Sequence, residues 1–190
     1  DYVNDNSLIL NGGSIKDFVG NNANLALPNL GAEGSLGANK NIVIDNKGPS
    51  ITSVSSSTEN GAYKAGEVIA LTVFLNENTI VTGNPQITLE TGATDGVGVY
   101  SSGSGGTELS FNYTVDASHN SPDLDYGSTT ALALNGGTMK DMVGLSADLS
   151  LPSPGAAGSL SSNKNIAIDN IAPIISTVSV QDNAILSVLA

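Results

Sequence analysis

The chain has no cysteine and no tryptophan, and only 3 Phe, 5 Tyr and a single histidine among 190 residues. Without cysteine there is neither a disulfide nor a thiolate metal site. The lone histidine, His119, sits in a Ser/Asn/Asp stretch (ASHNSPD) with no catalytic partner nearby in sequence, and reads as an exposed loop residue. Basic residues are scarce: 6 Lys and Arg stand against 18 Asp and Glu, a formal net charge of −12. That balance argues against nucleic acid or an anionic membrane as partner. No apolar run approaches the roughly 20 residues needed to cross a bilayer as a helix.

What is present is aliphatic and punctuated. The chain is 39% hydrophobic but only 4% aromatic, so Val, Ile, Leu and Thr must build the core, and these suit pleated sheets. Its 22 glycines and 7 prolines fall between short apolar runs, where they mark turns. The dominant feature is a repeat. DYVNDNSLILNGGSIKDFVGNNANLALPNLGAEGSLGANKNIVIDNKGP, from Asp1 to Pro49, returns without gaps as DYGSTTALALNGGTMKDMVGLSADLSLPSPGAAGSLSSNKNIAIDNIAP, from Asp125 to Pro173. Asp1 pairs with Asp125, Pro28 with Pro152 and Asp45 with Asp169, and more than half of the aligned residues are identical. A long fixed period is the mark of a tandem array.

This register divides the chain into residues 1–46, the C-terminal part of one repeat; 47–50, a linker; 51–170, a complete repeat; and 171–190, a linker and the start of a further repeat. In the first part SLILNGG and ANLALP alternate as half-buried strands, and KNIVID reads as a closing strand. In the complete repeat ITSVSSS is a first strand and ENGAYKAGE a turn. VIALTVFLNE is a central strand, with Ile69, Leu71, Val73 and Leu75 on one face. NENTIVTGNP is a loop that leaves Glu77 at the strand end. QITLE and GVGVYSS alternate about a turn, SGSGGT is a hairpin tip, and ELSFNYTV places Leu109, Phe111, Tyr113 and Val115 on one side. Short strands at regular spacing with no helical stripe predict an all-β, antiparallel β-sandwich.

GAYKAGEVIALTVFLNE, GNPQITLETGA, YSSGSGGTELSFNYTV, DLDYGSTTALALNGGTMKD and GSLSSNKNIAIDN together resemble the tandem immunoglobulin-like repeats of giant bacterial surface proteins, including stalk repeats of secreted adhesins of the RTX kind. The resemblance covers essentially the whole chain. It implies an extracellular, repeated stalk at the bacterial cell surface, often stiffened by calcium, with ligand specificity residing in other domains. The segment QDNAILSVLA departs from the pattern, standing where the preceding repeat has STENGAYKAG.

Signals for catalysis are thin. No G-x-S-x-G elbow is present, and SGSGGT leads into a strand rather than into a phosphate-binding helix. Lys64 has no spacing that supports an isopeptide crosslink. The acids carry more information. Asp123 and Asp125 share a face of an extended DLD segment, and the loops of a seven-strand sandwich cluster at two poles. Glu59, Asp123, Asp125 and Asp169 are expected at one pole and Glu77 and Asp141 at the other. Head-to-tail stacking would then gather Asp1, Asp45, Asn46, Glu77 and Asp141 at one junction. Calcium takes six to eight oxygens, some from carbonyls or water. The arrangement is similar to the calcium junctions of cadherins, although IDNKGP and IDNIAP match that linker only in part. The opposing reading is that Asp141 caps a turn and that surface acids merely solubilise.

The sequence therefore predicts no enzyme but a structural spacer of a long extracellular adhesin or fibre. Its partners are neighbouring repeats of the same polypeptide, with structural calcium at their junctions. Two alternatives stay open. One is a filament subunit whose incomplete repeats are completed by like chains. The other is a module binding carbohydrate or another surface ligand, for which exposed aromatics are few.

Overall fold

The computed structural model describes residues 1–179, so the segment QDNAILSVLA, which departs from the repeat pattern, lies outside the described residues. The chain divides into two compact units, Asp1–Asn46 and Lys47–Ala190, each treated separately below. Helix is almost absent from both, and all the described strands belong to the second.

The second unit is built on strands β1 (Ile51–Ser56), β2 (Gly61–Tyr63), β3 (Val68–Thr82), β4 (Gln86–Glu90), β5 (Gly96–Ser102) and β6 (Gly106–Thr114). The short strands β7 (Asp125–Tyr126), β8 (Leu132–Ala133), β9 (Thr138–Lys140) and β10 (Ile166–Ile168) follow. A curled sheet runs β1-β3-β6-β5-β4, and β7 and β8 both pair with β4 at its far edge. All these pairings are antiparallel; β10 runs parallel to β2 in a separate two-stranded sheet.

The long central strand shows how alternation becomes packing. Ile69, Leu71, Val73 and Leu75 of β3 point inward, and Ile69, Leu71 and Val73 stand opposite Tyr113, Phe111 and Leu109 of β6. Ile87 and Leu89 extend that buried face. It is covered by Tyr126, Leu132, Met139, Leu151, Leu160, Ile166 and Ile168 from the C-terminal half. Each such side chain contributes roughly 1.5–3 kcal/mol by leaving water. In β5 the alternation runs opposite to apparent hydrophobicity: Gly96 and Gly98 face inward, while Val97 and Val99 are partly exposed. A Cβ on Gly96 would stand 2.7 Å from the Tyr113 ring, and one on Gly98 would stand 2.9 Å from Ile87. The large residues of β4 and β6 already fill the space.

Three expectations change. NENTIVTGNP is largely strand, because β3 continues to Thr82 through an irregularity between Phe74 and Thr79; its distal part leaves β6 and pairs with β9. Glu77 therefore lies inside a strand. ENGAYKAGE contains β2, stabilised by a partner, Ile166–Ile168, more than a hundred positions away. His119 is buried, at 7% exposure, under the loop that its own backbone helps to close.

In the unit Asp1–Asn46 the described residues form one short helix, α1 (Leu36–Asn39), and an isolated bridge between Lys16 and Asn22, with no strand. The expected strands in SLILNGG, ANLALP and KNIVID are not formed. Their counterparts in the second unit show why. Leu132 is in a strand because it pairs with Ile87 of β4, and Ile166–Ile168 because it pairs with β2. Residues 1–46 contain no equivalents of β2 or β4. Ile44 is accordingly 89% exposed, whereas its counterpart Ile168 is 2% exposed. Local turns nevertheless recur. Ser35 caps α1 and Ser159 caps α2 (Leu160–Asn163), each accepting from the backbone N–H three residues on. The Tyr2 hydroxyl donates to the Pro28 carbonyl, as Tyr126 does to Pro152.

Candidate cation site

The pairing of β3 with β9 sets Ile80 opposite Lys140. Asp141, the next residue, is thereby carried to the irregular middle of β3, where Glu77 projects. Carboxylate oxygens of Glu77 and Asp141 lie within 4.8 Å of each other. Asp141 is held by its own loop: its Oδ1 accepts from the backbone N–H groups of Val143 (2.9 Å) and Leu145 (2.8 Å). The Asp141 N–H donates to the Leu145 carbonyl, and Gly144 takes a left-handed φ of 95° that closes the turn. Oδ2 is different. It is buried and has no hydrogen-bond partner, on a side chain only 4% exposed. A buried carboxylate oxygen without a donor costs on the order of 1–3 kcal/mol, more when charged. A hard cation is the ligand that chemistry favours there.

The linker is tied to the same pole. The Ser50 N–H donates to Asn76 Oδ1 at 2.7 Å and the Asn76 N–H to the Ser50 carbonyl at 3.0 Å, beside Glu77. Asp45 and Asn46 belong to the first unit and precede this anchor in the chain by five and four residues. Asp1, in the same unit, is turned to local use, its carboxylate accepting from the N–H groups of Tyr2 and Gly31.

The other acids singled out from the sequence do not assemble. Among the described residues, none of Glu59, Asp123, Asp125 and Asp169 joins a group of three carboxylates close enough to share an ion. Glu59 and Asp123 are exposed. Asp169 is exposed and accepts from the Ile171 N–H. Asp125 is buried and committed: Oδ2 accepts from Ser161 Oγ (2.6 Å) and the Gly155 N–H (3.0 Å), and Oδ1 from the Tyr126 N–H (2.9 Å). It organises the loop over the core, a role that spacing along a DLD segment could not reveal.

A second polar cluster was not legible in the sequence. Nδ1 of His119 accepts from the backbone N–H of Asp116 at 3.2 Å, so the Tyr113 hydroxyl, 2.8 Å away, donates to it. Burial, followed by the negative charge of Asp116, pushes the Tyr113 phenol up to about 12. The ring pair, with centroids 5.7 Å apart, is a sealed structural contact rather than a cleft. No helix among the described residues is long and apolar enough to cross a membrane. Compared with family models, with curated proteins and with solved structures, the chain matches none of them.

Proposed function

We propose that the chain is a spacer module of a long extracellular bacterial fibre or adhesin, built from immunoglobulin-like sandwiches in tandem and stiffened by calcium. The recurrence of the Asp1–Pro49 block at Asp125–Pro173, with the same capping serines and the same tyrosine-to-proline-carbonyl bonds, carries this reading. A repeated unit with an all-β core adds length without adding a new active site. The orphaned Asp141 Oδ2 beside Glu77 supports the cation.

Calcium sites of extracellular modules bind with dissociation constants of about 10⁻⁴–10⁻³ M. At a free concentration of about 10 mM such a site adds roughly 1.4–2.7 kcal/mol to stability. A protein of two complete units should therefore melt at higher temperature and scatter as a longer particle in millimolar calcium than in chelator. A melting temperature and a maximum dimension that both ignore calcium would sink the cation part of the reading.

A second reading has its own support. Leu8, Ile42 and Ile44 are exposed where their counterparts Leu132, Ile166 and Ile168 are buried. A filament in which like chains complete one another would cover them. Sedimentation across a hundredfold range of concentration separates the two, since only the filament subunit should grow into larger species.

A further inference from the structure

The molecule contains the Asp141 loop twice. Around Asp17 the backbone N–H groups of Val19 and Asn21 donate to Oδ1 at 3.0 and 2.8 Å, matching Val143 and Leu145 around Asp141. The Asp17 N–H donates to the Asn21 carbonyl at 3.0 Å, as Asp141 does to Leu145. Gly20 and Gly144 close the two turns with φ of 98° and 95°. At the carboxylate itself, the side chain four residues on changes the bonding, and Asp17 is exposed where Asp141 is buried. Asn21 Nδ2 donates to Asp17 Oδ2 at 2.8 Å. Leucine has no donor, and Asp141 Oδ2 is left buried and unpartnered.

From this pair of loops we infer that position 145, and its counterpart 21, decides whether a repeat's pole takes a divalent cation or closes on itself. An asparagine amide presents its N–H to the same carboxylate lone pair that a cation would use, and so acts as a built-in substitute. Leucine supplies no donor, so the Asp141 oxygen stays available to an oxygen-seeking ion. A fibre assembled from both kinds of repeat would carry cation-dependent and cation-independent poles in an order written by one residue per repeat. The inference rests on the cation reading of Glu77 and Asp141 proposed above.

The test uses the whole chain and calcium alone as probe, with chelator as the reference, read by melting temperature and titration calorimetry. The unaltered chain and Leu145→Ala should both respond to millimolar calcium, because alanine removes packing but supplies no donor. Leu145→Asn should lose the response, with apparent affinity falling by about 10-fold or more, the scale on which groups that bond to a ligand carboxylate act. In chelator, Leu145→Asn should melt no lower than Leu145→Ala. A Leu145→Asn chain that binds calcium like the parent would overturn the inference, and so would a Leu145→Ala chain that loses binding equally. If the unaltered chain does not respond, or if Glu77→Gln and Asp141→Asn leave its response intact, the cation reading itself fails.

Discussion

The side-chain amide of Asn170 donates to the carbonyl oxygen of His119 at 2.7 Å. It also donates to the Asp116 carbonyl at 3.1 Å, while its Oδ1 accepts from the Ala65 N–H at 2.7 Å. One amide thus joins the turn after β2, the loop over the buried histidine and the end of β10. The same Asp-Asn pair ends the first block as Asp45-Asn46. In the complete unit the asparagine is a fastener, with its donors and acceptor already engaged. Asn170→Ala should cost about 2–3 kcal/mol, from several net hydrogen bonds of roughly 0.5–1.5 kcal/mol each. Denaturant titration would show this as a lower midpoint; an unchanged midpoint would mean that water replaces the clasp at no cost.

Gly98 and Val97 give the sharpest test of the sheet's facing. Gly98→Ala drives a methyl to within 3.1 Å of Leu71 and 2.9 Å of Ile87, overpacking the core, and should destabilise by about 1–3 kcal/mol. Val97→Ala, on a side chain that is 42% exposed, should stay within roughly 0.5 kcal/mol of the parent. The opposite ranking would mean that β5 is turned over.

Alkaline pH should unfold the second unit early. The Tyr113 phenol is raised to about 12, and that of Tyr126 is also raised, by burial first and then by the charge of Asp125. Both favour the protonated folded state. Their stabilisation is complete below the unfolded value of 10.0 and is lost as pH rises from there through the folded values. Tyrosinate absorbance and circular dichroism recorded together should change in step above pH 10. Tyrosinate appearing fully while the fold persists would contradict the burial of these rings.

The acid limb runs the other way. Asp17 is held below the ordinary 3.8 by the Asn21 side chain, Asp116 by the Ser118 backbone N–H, and Asp148 by Ser150. Each contributes above pH 3.8 and loses its contribution as pH falls through its lowered folded value. All three are solvent-exposed, so the decline should be shallow. A steep loss of structure near pH 4 would point instead to a buried carboxylate.

Two identical residues in the repeated block should behave differently. Ile166→Ala empties a fully buried site and should cost about 2–5 kcal/mol. Ile42→Ala, at its 64% exposed counterpart, should change stability by about 0.5 kcal/mol or less. Equal effects would show that residues 1–46 are covered in solution, as the filament reading requires.

Much of the β framework was legible because alternation is a local property. Ile69, Leu71 and Val73, the QITLE run, and Leu109 with Phe111 each declare one face within a few residues, and β3, β4 and β6 follow. Leu134 is only partly buried, since it stands just beyond the end of β8. Glu77 and Asp141 were legible as acids, but what brings them together is an irregularity in β3 and its pairing with β9, which no spacing announces. The sequence by itself determined an aliphatic, cysteine-free, all-β chain with a block that occurs twice and turns that form twice. Tertiary structure alone decided which copy becomes sheet, which way β5 faces, and that His119 lies inside. A turn or cap is satisfied by hydrogen bonds within a few residues, so it survives in both copies. A strand ladder and a buried side chain need partners distant in sequence, and only the second copy has them.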